Sequence, residues 1–400
     1  RPRLAVLPLH NLSGDPEQEY FVEGTHEALI TDLAGISALR VIARSSVMRY
    51  KGREAPLPEI AEQLKVDAVL TGSVMRLGDR VRITAQLVDV ATEEHLWASR
   101  YERGLRDVLS LQDEIVAAIA RAIELQLTPQ EQARLARGRP VNPEAYEAYL
   151  KGRFHYYKVT RDDLDTALQY FQLALAKDPT YALAYAGIAA TWQLRGDSGV
   201  VPPLEALPKA KAAVVRALEL DDALPQAYEA SANLKFTYEW DWIGAETDFR
   251  RAIQLNPNYA DAHFFFSDFL ISMRRFDEAG AEFERALELD PLSSFYRCFR
   301  GWHLVYLRQY DDAIRELQNT LRAEPHFPSA HLALWGAFYQ KRMYAEALDE
   351  ARKFFGALGD NEVEALLTAA DAAGEYSEAM RRAAEKLVER ATRTHVPAFR

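Results

Sequence analysis

Residues 245–257, AETDFRRAIQLNP, and their copies decide the architecture of this chain. The same phase returns at residues 279–291 (AGAEFERALELDP), at 313–325 (AIRELQNTLRAEP) and, without the proline, from Ala347, a spacing of 34 each time. The copies read Ala245/Phe249/Ala252, Ala279/Phe283/Ala286, Ala313/Leu317/Thr320 and Ala347/Ala351/Phe354. Positions four and seven apart share one face of a helix. The small residues let a neighbouring helix approach, and the large ones fill the space that is left. Pro257, Pro291 and Pro325 follow in fixed phase. Proline lacks an N–H and clashes with the preceding turn, so it ends one helix and opens the next.

A 34-residue helix-turn-helix period with this alternation resembles the tetratricopeptide (TPR) repeat. Weaker copies extend it: Ala167/Phe171/Ala174 before Asp178-Pro179, Ala210/Val214/Ala217 before Asp221, and Ala379/Ala383. Seven helix pairs are expected, at about 143–177, 182–221, 225–256, 259–290, 293–324, 328–357 and 362–392. Together they make an all-α TPR superhelical solenoid. Two insertions break the period, at residues 158–162 and as a long connection over 195–208 that holds Gly196, Gly199, Pro202, Pro203 and Pro208. Each is either a tolerated surface insertion or a functional loop.

Ahead of the repeats the patterning changes. An apolar run over residues 3–9 precedes Asp15-Pro16-Glu17, an N-cap, a proline at the first helical position and an acid near the positive helix end. Val22, Leu29, Ile30, Leu33 and Ile36 share a face of that helix, and residues 39–43 follow as a strand. This is a β-α-β unit. A short helix over 57–64 leads to a strand over 67–75, a Gly78-Asp79 turn and a strand over 80–90. In the latter Val81, Ile83, Ala85 and Leu87 alternate with Arg82, Thr84 and Gln86, as in a strand with one buried face. A strand over 95–101 and a helix over 107–127 complete an α/β domain. The expected organisation is an α/β domain over 1–127, a linker over 128–142, repeats over 143–392 and a tail over 393–400.

The segments LAVLPLHNLSGDPEQEYFVEGTHEALITDLAGI, LRVIARSSVMRYKG, AVLTGSVMRLGDRVRITAQLVDVATEEHLWASRYER and LQDEI resemble the TolB amino-terminal-like domain that precedes TPR arrays in bacterial signalling proteins. The resemblance covers roughly residues 3–127, and the YALAYAGIAATW segment at 181–192 fits the same context. It implies the regulatory part of a protein whose output domain lies upstream: a Ser/Thr kinase, an adenylate cyclase or a winged-helix regulator.

Composition narrows the alternatives. The chain has 400 residues with 48% apolar content, no run of eighteen apolar residues and no signal-peptide pattern. It begins at Arg1 without Met, which leads to the expectation of a trimmed fragment. Cys298 is the single cysteine, so no intramolecular disulfide forms; its setting between Tyr296 and Phe299 reads as a small buried apolar group rather than a reactive thiol. Net charge is −11, and residues 1–140, with 18 Lys+Arg against 20 Asp+Glu, carry little of it. That balance argues against nonspecific nucleic-acid binding, which needs phosphate neutralisation. One basic stretch, residues 40–53 with Arg40, Arg44, Arg49, Lys51 and Arg53, reads as a solvated, partner-facing edge or as a contact for an anion or an acidic protein.

No phosphate-binding loop, dinucleotide fingerprint or zinc-protease motif occurs, and Gly196-Asp197-Ser198-Gly199 lacks the spacing of a hydrolase elbow. No catalytic residue, cofactor site or metal site is assigned. His326 and His331 are five apart and do not align on one helical face, and His26-Glu27 lacks a second histidine. The loop at 11–14, ahead of a helix N-terminus, is a candidate anion cradle, although Asp15 stands where the anion would sit.

The repeat groove is the stronger candidate site. By resemblance to TPR proteins, positions 2, 5, 9 and 12 of each first helix line the groove: Phe264, Asp268 and Ile271; Phe295, Cys298, Trp302 and Val305; Leu332 and Tyr339. The surface is aromatic and apolar, and the basic clamp that other TPR proteins use for a terminal carboxylate is absent there. Trp302 and Tyr339 are the preferred contacts. The reading is a noncatalytic module that binds a protein or peptide segment and regulates an output domain. The alternatives are the remainder of a kinase or cyclase, and a small-ligand sensor. The resemblance further implies an extracytoplasmic (periplasmic) placement behind an upstream span of about 20 apolar residues, with the cytoplasm as alternative.

Overall fold

Leu4, Ala5 and Val6 are fully buried because the strand they form, β1 (Arg3–Val6), is covered on both faces. In the computed structural model, which describes residues 1–53, 55–136, 142–199, 201–371 and 376–392, β1 is flanked by two parallel neighbours. These are β3 (Arg40–Val41) and β4 (Ala68–Leu77). The short strand β2 (His10–Asn11) also pairs with β4. Beyond β4 the sheet turns antiparallel through β5 (Arg80–Asp89) and β6 (His95–Gly104), giving the order β3-β1-β4-β5-β6. Gly78 (φ 61°) supplies the first turn position between β4 and β5, where a positive φ matches strand twist. Helices α1 (Glu19–Ala34), α2 (Arg44–Val47), α3 (Leu57–Leu64) and α4 (Val108–Ala122) complete the α/β domain.

Three details differ from expectation here. The α4 helix stops at Ala122 rather than near 127, just before Glu124 takes φ 54°. The linker contains a helix, α5 (Pro129–Ala136), anchored by Glu131, whose carboxylate accepts from the N–H of Ser37 and of Thr128. Asp15 spends its carboxylate on the N–H of Glu17, and Asn11 accepts from the N–H of Ser13, so the candidate anion cradle is closed by its own side chains.

The repeats follow as α6 (Pro143–Tyr156) and α7 (Arg161–Lys177), α8 (Ala182–Asp197) and α9 (Pro203–Leu220), α10 (Pro225–Leu234) and α11 (Trp242–Leu255), and α12 (Ala260–Ser272) and α13 (Phe276–Leu289). After them come α14 (Ser294–Tyr306) and α15 (Tyr310–Ala323), α16 (Pro328–Gln340) and α17 (Tyr344–Ala357), and α18 (Asn361–Asp371) and α19 (Tyr376–Ala391). Ala245, Ala279, Ala313 and Ala347 are all buried, as are Phe249, Phe283 and Leu317 four residues later. The 34-residue phase also appears in the backbone. Trp240, Arg274, Arg308 and Arg342 each take φ near 60° where the first helix of a pair gives way to the second. The long connection expected over 195–208 is largely helical: α8 runs to Asp197 and α9 begins at Pro203, carrying Pro208 within its first turns. Pro203, at the first helical position, displaces no intrahelical bond, whereas Pro208 lies inside the helix and cannot donate to the carbonyl of Leu204.

The chain divides into two compact units, Arg1–Leu292 and Ser293–Arg400. The division falls inside the repeats and not at the linker. In the first unit the α/β core is continuous with the array, and Tyr146 and Leu150 of α6 are buried members of it.

Candidate functional site

Within the first unit the array grips the α/β domain at both ends. At one end α6 lies along α1. Gly24 of α1 faces Leu150 so closely that a Cβ there would stand 2.6 Å from a methyl carbon of that leucine. Polar contacts frame this seam. Tyr20 donates to Glu147 at 2.8 Å, Arg76 donates to Tyr20 at 2.7 Å and to Glu147 at 2.8 Å, and Arg153 pairs with Glu27. Burial pushes the Glu147 carboxyl up, but hydrogen bonds from Arg76, Tyr20 and Lys151 outweigh it and bring it down to about 2. Tyr157 donates to Glu27 at 2.9 Å, and the Arg44 guanidinium lies 4.0 Å over its ring.

At the other end the turn between α11 and α12 and the end of α13 reach the β3 edge. Asn258 donates to the carbonyls of Ala34 at 2.8 Å and Leu39 at 2.9 Å. Ala43 donates its N–H to Leu289 at 2.7 Å, Arg40 pairs with Glu288 at 3.1 Å, and both Ser45 and Ser46 donate to Asp290. The basic stretch is therefore engaged within the chain. Arg40 and Arg44 face Glu288 and Glu23, and Lys51 faces Glu19 and Glu23. The charges of Arg40, Arg44 and Lys51 are met by the protein's own carboxylates, while Arg53 is exposed.

These contacts alter the status of the groove residues in the first unit. Phe264 is 1% exposed, its ring 6.2 Å from that of Phe283, and is a core residue instead of a groove contact. Ile271 is partly buried against the cluster of Phe249, Phe266 and Phe269, and Asp268 is half-buried. The aromatic character of α12 serves helix packing, because its neighbours approach from both sides. Between α9 and α10 runs a shallow apolar groove lined by Val214, Val215, Leu218 and Leu234, with Lys211 and Glu239 at its rim.

The second unit exposes Phe295, Tyr306, Tyr339 and Tyr344. Cys298 is fully buried, its thiol pushed up to about 12 by burial, and it is a packing residue as its sequence context indicates. Trp302 and Val305 are partly buried against Cys298, Ala313, Leu317 and Leu334, and Leu332 is partly buried against Phe354, Phe355 and Val363. Phe295 is 40% exposed, with its ring 4.7 Å from Phe299. Tyr339 is 48% exposed and stacks on Tyr376 at 5.8 Å, with Tyr344 5.4 Å from the same ring. Trp335 fixes this group by donating its indole N–H to Tyr376 at 2.7 Å. Trp302 in turn stacks on Tyr306, which is 67% exposed. Tyr306, Tyr344 and Tyr376 escaped the groove-position rule because they lie at the ends of helices. For Tyr344 the signal available was the recurrence of Phe276, Tyr310 and Tyr344 at the 34-residue spacing, a phase that Tyr306 and Tyr376 do not share. Among the described residues no group of three or more His, Cys, Asp or Glu could hold a metal ion.

The fold and its matches define a tetratricopeptide-repeat protein headed by an α/β domain. Residues 241–297 and 300–361 match tetratricopeptide repeat models. Residues 1–118 match the model described as HilA/YgeH-like transcriptional regulator, second domain. That match stands in place of the TolB-like resemblance, which no comparison confirms. The chain is 39% identical over 232 residues to a Rhizobium meliloti (strain 1021) protein named "Putative adenylate cyclase 3", across 57% of this chain and 39% of that protein. Pseudomonas aeruginosa PilF aligns at 22% identity over 54% of this chain and 94% of its own, with a TM-score of 0.41. A thermophilic TPR protein of Thermus thermophilus, TTC0263, aligns at 20% identity over 49% and 99%, with a TM-score of 0.39.

Proposed function

We infer that this chain is the regulatory, protein-binding part of a signalling protein, and that its second unit carries the binding surface. The supporting observation is the exposed Tyr339 and Tyr344 around a half-buried Tyr376, with exposed Tyr306 beside Trp302, on helices whose apolar cores are otherwise closed. TPR repeats bind protein segments, and aromatic side chains are the usual anchors of such contacts. In the first unit Phe264 is in the core, and the exposed aromatic pair is Trp240 with Trp242, at the turn between α10 and α11. The regulatory role is carried over from the adenylate cyclase relative, of which the matching stretch is the smaller part. In this reading the chain performs no turnover of its own.

The test is a photocrosslinking residue placed at Tyr306 or Tyr339 in the full-length protein in its own cells, with exposed Glu284 as control position. A discrete adduct at the tyrosine positions, and weakening of that complex by Trp302→Ala with Tyr339→Ala by about 2 kcal/mol, is expected. Equal labelling at Glu284, or binding indifferent to both substitutions, removes the surface from the proposal. The extracytoplasmic placement belongs to the same proposal. Carrying over the transcription-regulator likeness of residues 1–118 would favour the cytoplasm instead. Alkaline phosphatase and green fluorescent protein fusions at the end of the full-length gene decide between them.

A further inference from the structure

The sheet has one closed edge and one open edge. At β3 the array completes the strand: Ala43 donates to Leu289, and the Leu39 carbonyl accepts from Asn258. At the opposite edge the β6 backbone pairs, among the described residues, with β5 alone, and its Arg103 side chain reaches Glu114 of α4 at 3.3 Å. It is ten residues long and half-buried to exposed along its length; it contains no proline, and its charged groups are Arg100, Glu102 and Arg103. A two-residue turn joins β4 to β5, so Leu77 and Arg80 close it as a hydrogen-bonded pair, and the pattern alternates from there. By that alternation Trp97, Ser99, Tyr101 and Arg103 turn their backbone groups toward β5, opposite Leu87, Ala85, Ile83 and Val81. The N–H and C=O of Ala98, Arg100 and Glu102 then point away from the sheet, and the Glu102 carbonyl accepts from the exposed Arg103 guanidinium at 3.0 Å, a bond that a pairing strand would replace. The irregularity in this ladder lies beside Leu87 and Val88, leaving residues 97–104 in regular register.

We propose that this edge pairs with a second copy of the chain, β6 running antiparallel to β6 about a two-fold axis at Tyr101. The charges select this register. The Arg100 side chain makes no hydrogen bond or ion pair among the described residues, whereas Glu102 is already held by Arg80 and Arg82 on the same face. Centring the axis on Tyr101 sets Arg100 against Glu102 of the partner subunit, and the reverse pair forms by symmetry. Centring it one residue earlier sets Arg100 against its own copy, and like charges directly opposite are unfavourable. In the chosen register the outward groups of Arg100 and Glu102 exchange backbone bonds with the partner, and the interface is isologous, as a two-fold requires.

The test is sedimentation equilibrium of the 400-residue chain across a wide concentration range. The unaltered chain is expected to dimerise reversibly. Arg100→Glu sets four acids at the seam and is expected to weaken the dimer by about tenfold or more. The double variant R100E/E102R restores opposite charges across the axis and is expected to recover much of that loss. Ala98→Pro removes an outward N–H that the fold does not use and abolishes pairing, with circular dichroism reporting that the monomer stays folded. A chain that remains monomeric at all concentrations overturns the proposal. So does a dimer that tolerates both Arg100→Glu and Ala98→Pro, since its contact must then lie elsewhere.

Discussion

Glu229 of α10 shows how a single side chain ties this architecture to pH. Burial, and then the charge of Asp261, raise its carboxyl to about 8, against hydrogen bonds from Tyr259 and Asn233 that act the other way. A raised carboxyl keeps its proton in the folded state over a range where the unfolded chain has lost it. The native state binds more protons between about pH 4.3 and 8, so stability falls as pH rises through that window. Glu229→Gln keeps the shape and removes the titration. Its melting temperature is expected to change less than that of the parent between pH 5 and pH 8.5, with the gain at the alkaline end, as read by calorimetry. Arg308 makes a second residue-scale prediction. It holds φ near 60°, and its side chain makes no hydrogen bond or ion pair among the described residues. A side chain in that conformation costs about 1–2 kcal/mol, partly offset by the extra freedom that glycine gives the unfolded chain. Arg308→Gly should therefore stabilise by about 0.5 kcal/mol in urea titration, and a loss of stability would show that the arginine is held by something else.

At the scale of elements the helix pairs rest on small-against-large packing. Ala286 is fully buried in α13, whereas Glu284, two positions earlier, is exposed. Overpacking a closed site costs about 1–3 kcal/mol, so Ala286→Leu should lower the melting temperature clearly and Glu284→Ala should leave it nearly unchanged. The terminal helix α19 buries Ala379 and Ala383 against Phe354, Phe355 and Leu367, while Glu378, Arg381 and Glu385 make a wet face. Removal of everything after Asp371 uncovers that apolar layer and should produce concentration-dependent aggregation, measured by light scattering. These elements were legible in the sequence because a 34-residue period repeats its evidence several times. The α8–α9 connection was misjudged because Gly196, Pro202 and Pro203 are turn formers in isolation, yet Gly196 lies in the last turn of α8, Pro202 and Pro203 stand at the N-cap and first position of α9, and Pro208 lies inside α9. The groove was only partly legible. One aromatic stripe serves packing in α12 and is part-exposed in α14 and α16, and the difference lies in what approaches from outside the helix, which spacing along one chain does not encode.

Across the first unit, the domain division follows contacts and not the order of patterns along the chain. A carboxylate such as Glu27 is held below its ordinary range because the charges of Arg153 and Arg44 overcome the cost of burial. Breaking a buried pair of this kind costs about 3 kcal/mol, since the charge left behind has no partner. Gly24→Leu, which forces α1 away from Leu150, should likewise loosen the seam. Both Gly24→Leu and Arg153→Ala are expected to raise hydrogen exchange together in α1 and α6, with little change in α15 to α19. Residues 1–142 alone should behave as a partly folded, aggregation-prone fragment, whereas residues 1–292 should unfold in one cooperative transition.

The bond from Ala43 to Leu289 bears on how such a gene can be recombined. A crossover at the apparent border, near residue 142, would bring in a foreign array lacking Asn258, Leu289 and Asp290 in their places, and the edge strand would lose the groups that finish it. A crossover after Leu292 cuts none of these. Functional hybrids between relatives should therefore exchange their last three helix pairs freely while inheriting the sheet and the first four pairs as a single block.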